Sequence, residues 1–192
     1  DTNRFQETKV TKTLRLLSVG RLDQQKNLPL LFNAIQGTNI GVDIVGVGPE
    51  SDSLRQLAGQ KHIDVTFIGQ LSSDEMPSIY NQHAIYVLCS KYEGNPKTLL
   101  EAMACGTPIA SSNCAAMPEI LGNAARYFNP LDAKDMCETI TYLLKNKNAQ
   151  KELIINSLKR AKSFSWYQTA KKTAEVIKSV APSRSLKFDG DH

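Results

Sequence analysis

Four residues of this chain, two carboxylates and two cations, have the types and spacing that could bind a ligand or take part in catalysis. Glu93 and Glu101 lie eight positions apart, in a segment that passes from a loop into an apolar helix. The start of a helix favours an anion through its N–H groups and dipole, and a carboxylate one turn further in can accept hydrogen bonds from a diol. Arg21 and Lys26 follow a predicted strand, where they can bind phosphate oxygens. Together they predict a phosphorylated, hydroxyl-rich ligand, although solvated surface charges would also explain each residue taken alone.

The helix between the two glutamates has a recognisable start. Asn95 is predicted to be the N-cap and Pro96 the first helical residue, with Lys97 and Thr98 completing the first turn. Glu101 follows among leucine, alanine and methionine residues. An unpaired charge costs free energy in such surroundings, so Glu101 is expected to have a partner.

Short apolar runs alternate with amphipathic stretches along most of the chain. The predicted strands are Leu14–Val19, Gly41–Val47, Val65–Ile68, Ile85–Cys89, Pro108–Ser111 and Ala125–Phe128. The predicted helices between and after them are Leu28–Gln36, Ser51–Gly59, Asp74–Asn81, Ala133–Leu144, Ala149–Ser163 and Tyr167–Val180. The alternation predicts an α/β fold, a Rossmann-like parallel sheet with helices on both faces.

The ends of the chain differ in character from this alternating part. Residues 1–13 are polar and read as an interdomain linker, residues 14–165 as a Rossmann-like domain, and residues 182–192 as a tail. The helix within residues 166–181 carries one apolar stripe that needs a surface to pack against. Because the chain begins with Asp1 rather than methionine, we expect it to be a piece of a longer protein.

Composition excludes several classes of protein. The net charge of +4 is too small and too dispersed to indicate nucleic-acid binding, and the apolar runs are too short for a membrane span. The four cysteines form no Cys-x-x-Cys pair, which favours buried, reduced thiols in a cytoplasmic protein. The histidines show no metal-ligand spacing, so we expect no metal and no cofactor.

One glycine motif is typical of dinucleotide-binding proteins but is incomplete. Gly46 and Gly48 follow the second predicted strand, and Ser51 occupies the position of the third glycine. We interpret the motif as a tight turn leading into a helix. No complete fingerprint follows the first strand, which counts against a dehydrogenase.

The motifs, in their order, resemble the C-terminal, donor-binding half of the retaining glycosyltransferases of family 4, which have the GT-B fold. The resemblance covers nearly the whole chain and is carried by segments 1–5, 19–22, 26–27, 44–50, 67–69, 93–108 and 164–166. It implies that residues 14–165 form the nucleotide-sugar-binding domain. It implies a hexosyltransferase that uses a nucleoside-diphosphate sugar such as a UDP-sugar. It further implies an N-terminal GT-B partner domain, contacted by residues 166–181, and an acceptor glycan or lipid-linked sugar. The implied setting is polysaccharide or glycolipid synthesis in the cytoplasm or at the inner face of the membrane.

The resemblance also implies a role for each site residue. Arg21 and Lys26 would neutralise the diphosphate, Glu101 would bind the ribose diol, and Glu93 would face the donor sugar, so Glu93, Arg21 and Lys26 are the implied catalytic residues. The complete implied donor-binding set is Gly20, Arg21, Lys26, Ile68, Gly69, Leu71, Glu93, Gly94, Asn95, Lys97, Thr98 and Glu101. Within this set, the N–H groups near Lys97 and Thr98 would support the phosphates, and the backbone at 68–71 would meet the base.

Two departures from the family pattern alter the predicted wall near the sugar. Asn95-Pro96 replaces a frequent Phe-Gly pair, and Ala115-Ala116 replaces a frequent Gly-Gly pair. Alternative functions remain: a GT-B epimerase or phosphorylase half, which would share the phosphate site, and a non-catalytic nucleotide-binding or interaction module. We expect the isolated piece to bind donor weakly and to be essentially inactive without its N-terminal domain.

Overall fold

The computed structural model describes residues 4–8, 10–164 and 166–180, and within them six strands form one parallel sheet. The strands are β1 (Thr13–Val19), β2 (Val42–Val45), β3 (Val65–Gly69), β4 (His83–Leu88), β5 (Ile109–Ser112) and β6 (Ala125–Phe128). The helices are α1 (Leu28–Ile35), α2 (Ser51–Gln60), α3 (Met76–Gln82), α4 (Lys97–Ala104), α5 (Met117–Leu121), α6 (Ala133–Lys145), α7 (Lys147–Ala161) and α8 (Trp166–Val180). A 3-10 helix, Gln24–Lys26, precedes α1. All six predicted strands are confirmed.

The strand order is β3-β2-β1-β4-β5-β6, which places the first and fourth strands side by side. The central strand β4 is buried along its whole length, as expected for a parallel strand covered on both faces. One core cluster packs α1, α2 and α6 against the sheet, and a second packs α3, α4 and α5. The predicted Rossmann-like sheet with helices on both faces is therefore confirmed.

The structure corrects the predicted start of α4. Pro96 is the N-cap, with an extended backbone (φ −71°, ψ 105°), and the helix begins at Lys97. The carbonyl oxygen of Pro96 accepts the first hydrogen bond, from the N–H of Leu99, which places Asn95 outside the helix. Because proline has no side-chain acceptor, no side chain caps α4. The predictions of Asn95 as N-cap and Pro96 as first helical residue were wrong.

Two other predictions need correction or fall outside the described residues. All four cysteines are free, as predicted, but only Cys89 and Cys105 are buried, while Cys114 and Cys137 are half-exposed. The predicted tail, residues 182–192, lies outside the described residues, as does residue 181. In the described part of α8, Val176, Ile177 and Val180 are exposed.

The N-terminal segment lies against α3 without forming a helix or strand over residues 4–8. Phe5 is buried and its ring meets the ring of Tyr80 edge-on, with centroids 6.2 Å apart. Asn81 donates from Nδ2 to the carbonyl oxygen of Gln6 and accepts from the N–H of Thr8. These contacts attach residues 5–8 to the sheet domain.

A charged network joins β1, β2 and β4 near their amino ends, away from the strand ends that carry the glutamates. Arg15 Nε donates to Asp43 Oδ1 at 2.7 Å, and His83 Nε2 lies 3.0 Å from Asp43 Oδ2. Arg15 also contacts Asp64 and Thr66. Burial alone would raise the pKa of Asp43, but the hydrogen bonds with His83 and Arg15 outweigh it and lower that pKa below its ordinary value.

We expect an Asp43→Asn variant to be less stable than the native chain by about 2 kcal/mol at pH 7, because Arg15 and His83 lose a charged partner. Since the pKa of Asp43 is lower in the folded state, its contribution is present above the ordinary value of 3.8 and is lost as the pH falls through the folded-state pKa. The difference in unfolding free energy between the native chain and Asp43→Asn should therefore become smaller below about pH 4. Urea unfolding at pH 7, 5 and 3.5 measures this difference, with Glu152→Gln at an exposed position of α7 as the control. A pH-independent difference would contradict the prediction.

Candidate functional site

The candidate site lies between β1 and β4, where the direction of strand order reverses. From β1 the chain proceeds to β2 and β3 on one side of the sheet, whereas β4 leads to β5 and β6 on the other. The loops that follow β1 and β4 therefore separate and leave a crevice at the carboxyl ends of the strands, which is where open α/β sheets bind ligands. These loops are residues 20–27 and 89–96.

A close ion pair joins the two loops. Lys26 Nζ lies 2.6 Å from Glu93 Oε1, and the two side chains are only 16% and 11% exposed. Ser90 donates its hydroxyl to the same carboxylate oxygen at 2.8 Å. The lysine stem passes over Gly20, where an added Cβ would come within 2.5 Å of the lysine Cε. Gly20 thus leaves room for the Lys26 side chain to reach Glu93.

Three further hydrogen bonds hold the loops together. The N–H of Lys91 donates to the carbonyl oxygen of Gln25, and Gln25 Nε2 donates to the carbonyl oxygen of Tyr92. The thiol of Cys89 donates to the carbonyl oxygen of Lys26. The loop after β1 is therefore fixed against the loop after β4 by backbone contacts as well as by charge.

Two buried tyrosines support the first two turns of α4. Tyr80 donates its hydroxyl to Glu101 Oε2 at 2.9 Å, and Tyr86 donates to Thr98 Oγ1 at 2.8 Å. Their rings meet edge-on, with centroids 5.7 Å apart. Glu101 is half-buried, and its hydrogen bond with Tyr80 supplies the partner that the sequence predicted it would need.

Arg21 lies at the edge of the crevice and is far more accessible than Lys26. Its side chain is 74% exposed, and its Nε lies 3.9 Å from Asp23 Oδ2. A guanidinium held so loosely can turn toward an anionic ligand without breaking a short ion pair. The two predicted phosphate-binding cations therefore differ, because one is held by a carboxylate and the other is exposed.

The remaining predicted residues lie at the same edge of the sheet. Gly69 ends β3 with φ 85°, and its carbonyl oxygen accepts from the N–H of Gly46 at 2.7 Å. Ile68 and Leu71 beside it are partly buried against the second core cluster. Three residues of the loop and the first turn of α4 are exposed: Gly94, Asn95 and Lys97. The geometry thus brings the predicted set to one edge, with Lys26 and Glu93 in direct contact.

The Ala115-Ala116 pair, which follows β5, includes a residue with an unusual backbone conformation. Ala115 has φ 50°, the left-handed conformation that glycine adopts most easily. For a residue with a Cβ this conformation costs about 1 to 2 kcal/mol. The turn therefore keeps a glycine-like shape although alanine occupies it, and the side chain stands exposed at this edge.

Sequence reasoning missed the residues that hold the charged groups in place. Tyr80, Tyr86, Ser90 and Gln25 are not among the site residues predicted from the sequence. The available signal was a tyrosine within an apolar pattern, because a buried hydroxyl needs a partner. Among the described residues, no group of three or more histidines, cysteines, aspartates or glutamates is placed to hold a metal ion. None of the described helices is long and apolar enough to cross a membrane.

Comparison with known proteins gives a consistent family. Residues 1–160 match the family described as glycosyl transferases group 1. The chain is 28% identical over 171 residues to O-antigen chain mannosyltransferase B of Escherichia coli, an alignment that covers 84% of this chain and 45% of that protein. The chain thus spans less than half the length of this relative.

Solved structures show the same fold. Sucrose-phosphate synthase from Thermosynechococcus elongatus superposes with a TM-score of 0.83 at 22% identity, over 93% of this chain and 50% of that one. HepE from Anabaena, solved in complex with UDP and glucose, superposes with a TM-score of 0.83 at 18% identity, over 94% and 55% of the two chains. The architecture is that of one half of a GT-B glycosyltransferase.

Proposed function

We propose that this chain, which belongs to the glycosyl transferases group 1 family, is the donor-binding half of a retaining glycosyltransferase of family 4. The observation that carries the proposal is the Lys26–Glu93 pair across the crevice between β1 and β4. A largely buried cation and a carboxylate at this edge match a ligand with an anionic end and a hydroxylated end. A nucleoside-diphosphate sugar of the hexose type has both.

The donor would lie with its diphosphate between the two loops and its sugar next to Glu93. Arg21 and Lys26 would bind the phosphate oxygens, together with the N–H groups near Lys97 and Thr98. Glu101 would accept hydrogen bonds from the ribose diol. Gly20, with Gly94 and Asn95 on the opposite loop, would border the diphosphate and the sugar, and the backbone of Ile68, Gly69 and Leu71 would meet the base.

The proposed chemistry depends on stabilising charge as the glycosidic bond breaks. The leaving diphosphate gains negative charge, and preorganised cations stabilise it most in a site that excludes water. Lys26 is positioned for this role because it is largely buried, and Glu93 would stabilise positive charge on the sugar. The proposal is compatible with a covalent intermediate or with attack from the same face.

The activity of the whole protein is part of the proposal. We propose transfer to an acceptor hydroxyl on a glycan or lipid-linked sugar, in polysaccharide or glycolipid synthesis in the cytoplasm or at the inner membrane face. The mannosyltransferase relative, which acts on an O-antigen chain, supports this direction. An N-terminal GT-B domain would supply the acceptor site and would cover the exposed Val176, Ile177 and Val180 of α8.

Calorimetric titration with UDP and GDP tests the donor site directly. We expect the chain to bind at least one of them, and Arg21→Ala or Glu101→Ala to weaken that binding about tenfold, because each removes a hydrogen bond that involves a charge. Lys151→Ala and Glu152→Ala, at exposed positions of α7, are the matched controls and should bind as the native chain does. No binding of either nucleotide to the intact chain would refute the donor site.

A second candidate, a non-catalytic interaction module, is favoured only by the exposed apolar residues of α8. It predicts that the chain binds no nucleotide, or that Arg21→Ala and Glu101→Ala leave nucleotide binding unchanged. A GT-B epimerase or phosphorylase half would bind nucleotide or phosphate at the same loops. Assay of the full-length protein with a panel of nucleotide sugars separates these reactions from transfer.

A further inference from the structure

The hydroxyl of Tyr80 is buried in the core but reaches the candidate site. Tyr80 is fully buried on α3, and its hydroxyl meets Glu101, which is half-buried at the edge of the crevice. The contact links a core residue to the residue proposed to bind the ribose, across 21 positions of sequence. Phe5 and Tyr86 pack edge-on against the same ring, which fixes its position.

The direction of this hydrogen bond is settled by chemistry. Burial raises the pKa of the Tyr80 hydroxyl well above its ordinary value, so the group stays protonated and donates to the carboxylate. A carboxylate has two acceptor oxygens, and the tyrosine engages only Oε2. The side chain of Glu101 is thereby held in one orientation before any ligand arrives. Holding it in advance reduces the entropy that binding would otherwise cost.

We propose that Tyr80 is a positioning residue that sets the preference of the site for an intact ribose by orienting Glu101. This inference rests on the proposed function, because Glu101 is the residue proposed to bind the ribose diol. Tyr80 itself would not touch the nucleotide, because its side chain is fully buried. Its effect should be confined to ligands that carry the 2′- and 3′-hydroxyls.

Tyr86 offers a matched comparison within the same core. It is also fully buried, it contacts the Tyr80 ring, and it donates its hydroxyl to α4. Its partner, however, is Thr98 in the first turn rather than Glu101. Removal of either hydroxyl makes a similar chemical change, but only one of the two changes should alter ribose recognition.

The experiment measures ribose preference as a ratio. UDP, GDP and their 2′,3′-dideoxy analogues are titrated into the native chain, Tyr80→Phe and Tyr86→Phe, and the Kd of each dideoxy analogue is divided by that of its parent. We expect a ratio of about 30 for the native chain, from hydrogen bonds to a charged carboxylate. Tyr80→Phe should lower the ratio about fivefold while the Kd of the dideoxy analogue stays within about twofold.

Each outcome bears on the inference in a defined way. A lowered ratio in Tyr80→Phe, with an unchanged ratio in Tyr86→Phe, supports it, whereas an unchanged ratio in Tyr80→Phe or equal loss in both variants overturns it. Should Tyr80→Phe fail to fold, Tyr80→Met also removes the hydroxyl and takes its place. If the native chain binds neither nucleotide, the proposed function itself fails. Binding without any ribose preference overturns the inference together with the proposed role of Glu101, but leaves the proposed nucleotide site in place.

Discussion

A Lys26→Met variant is expected to bind UDP or GDP about 100-fold more weakly than the native chain, and Glu93→Gln to bind them about fivefold more tightly. The opposite signs follow from the short contact between these two side chains. Removing the lysine deletes the largely buried cation of the proposed phosphate site and leaves a carboxylate beside the diphosphate. Replacing the glutamate instead releases the lysine from a competing anion and removes that repulsion.

The same pair predicts the stability of the variants. Lys26 and Glu93 are 16% and 11% exposed, so removal of one partner leaves a poorly solvated charge. We expect Lys26→Met to lower the free energy of unfolding by about 2 kcal/mol, which is less than for fully buried pairs because some solvent contact remains. The double variant Lys26→Met/Glu93→Gln should recover most of that loss, because no charge is then left unpaired.

A double-mutant cycle tests both expectations with one set of proteins. Calorimetry gives the Kd for each nucleotide, and urea unfolding gives the stability of the native chain, the single variants and the double variant. Lys134 and Glu138 of α6 form the matched control, because their contact is 3.9 Å and both side chains are largely exposed. Lys134→Met, Glu138→Gln and the double variant should alter the free energy of unfolding by no more than about 0.5 kcal/mol and leave nucleotide binding unchanged. Weaker nucleotide binding in Glu93→Gln would show that Glu93 does not compete for Lys26.

We expect Glu93→Gln to affect nucleotide binding and sugar transfer in opposite directions. In the proposed reaction Glu93 faces the sugar, so Glu93→Gln should bind the nucleotide well and transfer poorly when the full-length protein is assayed. Tighter product binding would slow turnover further. A variant with tight nucleotide binding and native transfer rates would limit the role of Glu93 to holding Lys26.

The strands were predictable from sequence because each is a short apolar run bounded by turn residues. The six predicted strands match the observed ones to within about two residues. Helix α5 was missed because five residues, Met117–Leu121, are too few to show a helical period. Local pattern was therefore sufficient where an element is long or strongly apolar.

The contacts within the candidate site were less predictable, because they join residues far apart in sequence. Lys26 and Glu93 are separated by 67 positions, and their pairing depends on β1 and β4 being neighbours. The sequence placed each residue after a strand but contained no local signal that one would neutralise the other. The error at Asn95 has another cause, since proline satisfies the geometry of both the N-cap and the first helical position.

The interpretation of Gly46 and Gly48 as a structural turn agrees with their surroundings. A Cβ at Gly46 would overlap the carbonyl oxygen of Gly20, and one at Gly48 would overlap the backbone of Leu22. The turn leads into α2, where the hydroxyl of Ser51 donates to the carbonyl oxygen of Gly48 at 2.7 Å. These glycines allow the loops after β1 and β2 to approach closely at the edge that carries the site.

A Gly46→Ala variant should therefore lose about 4 kcal/mol of unfolding free energy, from two separate causes. Its φ of 136° is unfavourable for any residue with a Cβ, which costs about 1 to 3 kcal/mol. The collision with Gly20 adds a similar amount, because backbone atoms cannot move aside as a flexible side chain can. Displacing Gly20 and Arg21 should also weaken nucleotide binding more than tenfold, roughly the cost of losing a charged contact.

Alanine substitutions at two other glycines distinguish backbone strain from collision with Gly20. Gly69 has φ 85° but open space around an added Cβ, so Gly69→Ala should cost about 1 to 2 kcal/mol through backbone strain alone. Gly59 lies in α2 with open space and no positive φ, so Gly59→Ala should stabilise the chain by about 0.5 to 1 kcal/mol. Urea unfolding should show a much larger loss of unfolding free energy for Gly46→Ala than for Gly69→Ala, and a gain for Gly59→Ala. If Gly46→Ala cost no more than Gly69→Ala, close approach of the two loops would not be what requires glycine at position 46.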